Sequence, residues 1–460
     1  MKQKRSAPKK LLIDAKITST GIDVFVNGDR FPILYPKKVW HKFPKELKEI
    51  LKDNLAYSST IFLPQILNLK EIVYKTARPL SETFLFKNGI YDMACSAQTD
   101  EKSSAEYVKR FYNTRYIFAD ERIKTPKRID LKNGSKNKRT LIPFSFGKES
   151  MLSFALSKEL GLEPFLVNTI EPVHIHELTH KKKLIESFKK TMGIHVDTIR
   201  YGPGIMRYGH YWDLETELGT GLWVTDYVML SLPFIYFHDI YFIALGNEQS
   251  CNDVYYDKEE MLTYRSAYDQ FREWTSQLSY LSTLLYGKKL EVMSLVEPLY
   301  EIAETKVLHK RYSDYGKHQL SCFAMQESAR YSRWCQNCYK CAYLYPLFAA
   351  FNIDPKSLSF TENLFDKKHA HLYKTFFTRL RNSVYYGSQE ELAVAFYLAM
   401  KNGATGYSMD RFKKELLPDF IKHKKKYFKK YLGIHPTYNI PPQFKKKIMD
   451  IYKKELKEFQ

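Results

Sequence analysis

Residues 141–161 read LIPFSFGKESMLSFALSKELG, and the fold turns on how they are read. The opening apolar run, 141–145, predicts a short buried strand. Residues 149–161 have amphipathic helical spacing and end at Gly161, a suitable C-cap. The stretch Ser145–Ser150 joins the two. In parallel α/β sheets, ligands bind where strands end and helices begin. A helix start presents unpaired N–H groups and the positive end of the dipole. Gly147 would let an anion approach the backbone. Lys148 adds a mobile positive charge, and the hydroxyls of Ser145 and Ser150 can donate. Each hydrogen bond to a charged oxygen is worth roughly 1.5–3 kcal/mol. The local string therefore fits a phosphate cradle or an ordinary capped turn. It is not a Walker A loop, because position 142 is Ile and Glu149 follows the lysine.

The same rhythm continues outward. Strands are predicted at 163–172, 195–201 and 240–246. Helices are predicted at 181–193, ending on Gly193, and at 222–232. Strands alternating with helices imply a doubly wound parallel sheet covered on both faces. Before it, GIDVFVNG (21–28) carries an Asn-Gly hairpin signal and residues 43–55 have helical spacing. The polar, basic stretch 130–140 reads as a linker or hairpin tip. Beyond 342 the pattern is mostly helical, clearest at 390–403 with Gly403 as its stop. The expected organisation is a β-rich N-terminal domain over 1–138, an α/β domain over 139–350, and a helical C-terminal region over 351–460.

The chain has 460 residues, 44% hydrophobic and 27% charged, the composition of a globular protein. The most apolar stretch, 227–246, is interrupted by Pro233, His238 and Asp239. It reads as a buried helix and strand rather than a membrane span. The basic N-terminus lacks the apolar region of a signal peptide, so the cytoplasm is the expected location. Net charge is +21, which suits a nucleic-acid partner, an acidic small substrate, or a solvated surface. Lysine outnumbers arginine three to one, and arginine is the better bidentate reader of phosphate. Much of the excess lies in the first ten residues and in the Lys-rich tail near 422–457.

Six cysteines are too few for a disulfide framework at this length. Four are clustered: Cys322, Cys335, Cys338 and Cys341, spaced C-x12-C-x2-C-x2-C. Four thiolates so spaced satisfy tetrahedral zinc with no open position, a structural site. Unligated thiols and an iron–sulfur cluster are the alternatives. Cys95 reads as a small core residue. Cys251 lies in ALGNEQSCND (244–253), just past a strand and so at the ligand-binding edge. Glu248, Asn252 and Asp253 accompany it, as a magnesium or amine site or as a polar turn.

SFGKES (145–150) resembles the signature loop of the PP-loop ATP pyrophosphatases. The resemblance implies a HUP-like α/β fold. It also implies cleavage of ATP to AMP and pyrophosphate, with Ser145, Phe146, Gly147, Lys148, Glu149 and Ser150 on the departing pyrophosphate. The order of further motifs is similar to one family within that group. That family epimerises the glutamate of UDP-N-acetylmuramoyl-L-alanyl-L-glutamate. The motifs are GNEQS (Gly246–Ser250), SLVEPLYE (294–301), WCQNCYKC (334–341), ENLF (362–365) and EELAVAF (390–396). Two departures stand out. Phe146 replaces a loop glycine, and RNSVYYG (381–387) stands where the family tends to read K-P-F-E-C-V-G.

The resemblance implies ATP, Mg2+ and a structural Zn2+ as cofactors and a nucleotide-linked carboxylate as substrate. Gly246 and Asn247 would join the nucleotide site. Adenylating a carboxylate removes its negative charge and acidifies the α-proton, which a positioned base can then remove. The candidates for that work are Lys148, Glu248, Cys251 and Glu301. Other classes fit parts of the pattern: 7-cyano-7-deazaguanine synthase, a PP-loop RNA-modifying enzyme, or a zinc-stabilised nucleic-acid-binding protein with an inactive loop.

Overall fold

Asn27 and Gly28 both adopt positive φ, 50° and 93°, as a two-residue hairpin turn requires. They join β2 (Gly21–Val26) to β3 (Asp29–Leu34), and β1 (Leu11–Ile17) pairs antiparallel with β2. In this computed structural model, residues 10–132, 137–216, 221–265, 267–322, 324, 326–378 and 388–459 are described. The remaining strands are β4 (Glu71–Ala77), β5 (Arg115–Asp120), β6 (Arg139–Pro143), β7 (Glu163–Ile170), β8 (Val196–Tyr201) and β9 (Phe242–Leu245). They are followed by β10 (Val254–Tyr256), β11 (Leu262–Tyr264) and β12 (Glu291–Ser294). β10 and β11 form a separate two-stranded ribbon.

The other ten strands make one mixed sheet in the order β12-β9-β6-β7-β8-β3-β2-β1-β4-β5. The five from β6 to β12 are parallel to one another. Numbered along the chain, they run 5-4-1-2-3 across the sheet, the doubly wound order. The order reverses between β6 and β9, which is the topological switch point. The predicted strands and helices of this part are all present. The helix predicted at 181–193 begins earlier and spans Ile175–Met192, and the one predicted at 222–232 continues through Pro233 to His238. Gly161 and Gly193 take the left-handed conformation expected of helix stops.

The 1–138 stretch is less β-rich than its sequence suggests. It holds the helices Lys45–Ser58, Glu82–Thr99 and Ser104–Tyr112 beside its five strands. It also continues the same sheet, because β3 pairs antiparallel with β8 through Ile33 to Tyr201 and Leu34 to Arg200. Of the 130–140 stretch, Asp130 bridges to Lys288 and Arg139 begins β6. Residues 133–136 lie outside the described residues.

Alternate residues of the central strands feed two separate cores. Leu141, Val167, Ile243 and Val292 belong to one; Ile142, Leu166, Phe242 and Met293 belong to the other. That alternation is the period of two expected of a sheet buried on both faces. Helix Lys148–Glu159 covers one face, and helix Trp223–His238 the other.

The C-terminal region is helical, with Gln389–Lys401, Tyr407–Glu415, Leu417–Tyr431 and Pro442–Leu456. Its tail is not a solvated extension. Phe420, Tyr431, Ile448 and Tyr452 are buried, and the Tyr452 hydroxyl donates to the Leu295 carbonyl at 2.7 Å. Arg311 pairs with Glu455 at 2.8 Å. The lysines occupy the outer face of these helices, so their spacing reported amphipathicity rather than disorder. Among the described residues, no helix is long and apolar enough to cross a membrane.

Candidate functional site

Ser145 to Lys148 leave the carboxyl end of β6, and Gly246 to Ser250 leave the carboxyl end of the adjacent β9. The two loops touch. A Cβ placed on Gly246 would lie 2.6 Å from the Glu149 Cβ, so only glycine fits there without a shift. Gly147 is the N-cap of helix Lys148–Glu159. Its N–H donates to the Ser145 Oγ at 3.1 Å, and the Ser150 Oγ donates to the Gly147 carbonyl at 3.1 Å.

Phe146 sits at φ 63°, in the left-handed region, where a bulky residue is strained and a glycine would not be. Its ring is buried against Phe144 and Phe188, with centroids 4.7 and 5.5 Å away. Packing therefore holds a backbone shape that the chain lacks a glycine to make. The Phe146 carbonyl accepts from the Leu320 N–H at 2.8 Å, which ties the loop to the segment leading into the cysteines.

Lys148 departs from the expected mobile charge. Its side chain is 1% exposed and its ammonium pairs with Glu149, with Glu301 at 2.8 Å and with Glu304 at 3.4 Å. Burial alone would lower its pKa, but Glu149, Glu301, Glu304 and Glu248 together raise it well above the usual lysine range. The lysine is the counter-charge of an acidic chamber.

The chamber gathers the acid and thiol candidates that sequence reading named, and adds two carboxylates. Glu248 and Cys251 lie on the β9 loop; Glu301 and Glu304 open helix Glu301–Arg311; Glu391 comes from helix Gln389–Lys401. Glu248 takes hydrogen bonds from the Ser250 hydroxyl and from the Ser250 N–H, the latter at 2.7 Å. Burial and the Glu301 charge push its carboxyl well above the usual range. Burial likewise pushes Glu304 up, and one of its oxygens has no partner at all. Glu391 accepts from the Ile302 N–H at 2.8 Å through one oxygen, and its carboxylate also faces the buried Tyr343 hydroxyl. Burial and Glu301 raise Glu391 to about 7. Glu149 is pushed up by burial but held below its usual range by Lys148 and Lys340. The Cys251 thiol, 3.5 Å from the Gln270 Oε1, is driven well up by burial and stays protonated.

Other named residues are structural here. The Asn247 side chain donates to the Thr275 Oγ1 at 2.8 Å, and its carbonyl accepts from the Ser294 hydroxyl at 2.7 Å. Asp253 is engaged by Arg265 at 3.7 Å, Lys430 at 3.5 Å and the Tyr300 hydroxyl at 2.9 Å. Asn252 accepts from the Arg272 N–H. Glu248, Asn252 and Asp253 each turn to a different protein partner. Cys95 is buried, as expected of a core residue. The divergent segment 381–387 lies outside the described residues.

The four clustered cysteines converge. Their sulfurs lie within 4.8 Å of one another, with Cys322 to Cys335 at 3.5 Å and Cys341 to Cys335 and Cys322 at 3.6 Å. A tetrahedral zinc with ~2.3 Å bonds would separate its sulfurs by ~3.8 Å. The set could hold a metal ion such as zinc. Gln336, at φ 54°, makes the tight turn between Cys335 and Cys338. Its side-chain oxygen accepts from the N–H groups of Thr361 and Glu362, anchoring the ENLF stretch. Trp334 is buried and stacks on Phe360 at 4.8 Å.

Glu304 and Glu391 escaped the sequence reading. Both sit in the first turn of a helix, where acids are common on exposed surfaces. The available signal was context: Glu304 lies one turn from Glu301, inside a strongly apolar neighbourhood. A comparison with protein-family models returns no match, and neither does one with curated proteins.

Proposed function

We propose that this chain is an ATP-dependent adenylating enzyme that forms AMP and pyrophosphate while activating a carboxylate. On this reading its acceptor is the L-glutamate of UDP-N-acetylmuramoyl-L-alanyl-L-glutamate, which it epimerises. One observation carries the reading: a helix-capping loop at the switch point of a doubly wound sheet adjoins a cluster of buried carboxylates. The loop offers N–H groups and hydroxyls to phosphate. The carboxylate cluster offers Glu391, raised to about 7, for proton transfer near neutral pH. The ordered motif resemblance supports the choice of acceptor.

The charges fix how a nucleotide would be accepted. Lys148 is already neutralised by glutamates, so the chamber repels a bare triphosphate. Magnesium would place positive charge between those carboxylates and the phosphate oxygens, and the activity should require it. Glu391 is the acid/base candidate on this reading, because burial and Glu301 raise it to about 7. Cys251, held as a thiol, would donate a proton rather than remove one.

The test is incubation of the protein with ATP, magnesium and UDP-N-acetylmuramoyl-L-alanyl-L-glutamate, with AMP measured and the glutamate analysed for chirality. AMP and D-glutamate in equal amounts are expected. Neither product would overturn the reading. AMP without inversion would leave the adenylating activity and remove the epimerase.

A further inference from the structure

A second feature of the molecule lies away from the loop. A cavity of about 580 Å³ opens beside the cysteine module, lined among others by His180, Lys183, Tyr331, Arg333, Lys356 and Thr361. No residue of the 145–150 or 246–250 loops lines it, and neither does any Asp or Glu. The acids nearest in sequence are occupied elsewhere. Glu362 is held by Lys368 at 2.8 Å and His369 at 2.6 Å, and Glu327 by Arg330 at 3.1 Å. Asp354 caps the N–H of Lys356.

Arg333 is the anchor of this cavity. It donates from Nη1 to the Lys317 carbonyl at 3.0 Å and from Nη2 to the Leu358 carbonyl at 2.7 Å. These two bonds fix the plane of the guanidinium. Its Nε is buried and has no hydrogen-bond partner. No carboxylate among the described residues pairs with it. Two of its five N–H groups are satisfied, and a fixed cation without a counter-charge remains. Lys183 and Lys356 stand exposed at the rim. Tyr331, 87% exposed, offers its ring to solvent beside them, with the Arg330 guanidinium 5.7 Å from its centroid.

We propose that this cavity is a second anion site, which takes the phosphate or diphosphate group of a small, ring-bearing phosphate ester. The planar guanidinium fork matches phosphate geometry, the two lysines add charge, and Tyr331 supplies a face for stacking a ring. The volume falls within the range of pockets that enclose a nucleotide-sized ligand. This site goes beyond the adenylation reading and stands whether or not the loop binds ATP.

Calorimetric titration of the full-length, zinc-loaded protein tests it, with uridine diphosphate and inorganic pyrophosphate as probes. The 145–150 loop can also take a diphosphate, so the two sites are told apart by variants at this cavity, measured with uridine diphosphate and with ATP. Replacing Lys183 and Lys356 together by Ala alters only exposed side chains. That variant should bind uridine diphosphate about tenfold or more weakly, from two lost charge-assisted contacts. Its ATP affinity should be unchanged. Arg333→Met should lose uridine diphosphate binding at this cavity altogether, with circular dichroism and zinc content confirming its fold. Equal uridine diphosphate affinity in the wild type and the double variant overturns the proposal. So does a short oligoribonucleotide that binds there and is not displaced by either small probe.

Discussion

Two clusters of like groups lie in the same half of the molecule and resolve their repulsion in opposite ways. Three of the four cysteines bring their sulfurs to 3.5–3.6 Å, all four lie within 4.8 Å, and all but Cys338 are buried. Glu149, Glu301 and Glu304 share one lysine, one Glu304 oxygen has no partner, and burial pushes Glu248 and Glu304 well above the usual carboxylate range. A closed cluster is satisfied by one ion and has no capacity left for chemistry. An open cluster is left unsatisfied in the free protein, which is the condition a substrate and its cations can relieve. On the function proposed above, the difference separates a structural centre from a chemical one.

The sharpest way to break that comparison is to attack the closed cluster. Structural zinc sites contribute on the order of 10–16 kcal/mol in small domains, which rivals the roughly 5–15 kcal/mol stability of a whole domain. Cys341→Ala should therefore abolish the soluble folded protein or lower its melting temperature drastically, with loss of bound zinc by elemental analysis. A variant that melts like the wild type would place no ion among the sulfurs, and the cysteines would be ordinary core thiols.

Lys148→Met probes the open cluster with a smaller effect. Removing one partner of a buried ion pair costs about 3–5 kcal/mol, because it strands the other charges. The sign with pH follows from the groups left behind. The wild-type lysine, with its pKa raised, contributes in full at every pH below the ordinary lysine value. In the variant, Glu149 and Glu304 lose the cation that lowers them, so their folded pKa values rise. Its stability should fall as pH climbs above the usual carboxylate range. Urea midpoints should therefore differ little between variant and wild type at pH 4 and widely at pH 8. A loss independent of pH would mean that the lysine acts by filling space. Zinc content should not change in this variant, whereas it must in the cysteine one.

The two clusters were also unequally legible in the sequence. The thiol spacing C-x12-C-x2-C-x2-C announces convergence, because two residues between ligands is a local geometry. The strand–loop–helix at 141–161 was readable for the same reason, and the doubly wound order followed from strands and helices in alternation. The acidic chamber draws Glu248, Glu301 and Glu391 from three elements separated by many residues, and no local pattern encodes that meeting. Nor could spacing show that β3 joins β8 through only two residue pairs, or that the Lys-rich tail docks on helix Glu301–Arg311. Lys148 was placed correctly at the loop and given the wrong freedom, since its neighbours in space were not its neighbours in sequence.

The smallest expected effect is also the most specific. Glu391 is fully buried, with an ordinary value of 4.5 raised to about 7. Below 4.5 it is protonated in both folded and unfolded chains and costs nothing. Between 4.5 and 7 the unfolded chain releases the proton while the folded one keeps it, so stability declines as pH rises. Above 7 both are ionised and the penalty stays constant at about 3 kcal/mol. Glu391→Gln keeps an oxygen for the Ile302 N–H and cannot ionise. It should match the wild type near pH 4 and exceed it by about that amount at pH 8, read as a raised urea midpoint. If Glu391 moves the substrate proton, the same variant should be more stable and inactive in glutamate inversion while still forming AMP. Lower stability at pH 8 would show instead that the Ile302 N–H and the Tyr343 hydroxyl hold the ionised carboxylate strongly enough to offset its burial, and the open cluster would then be as closed as the thiols.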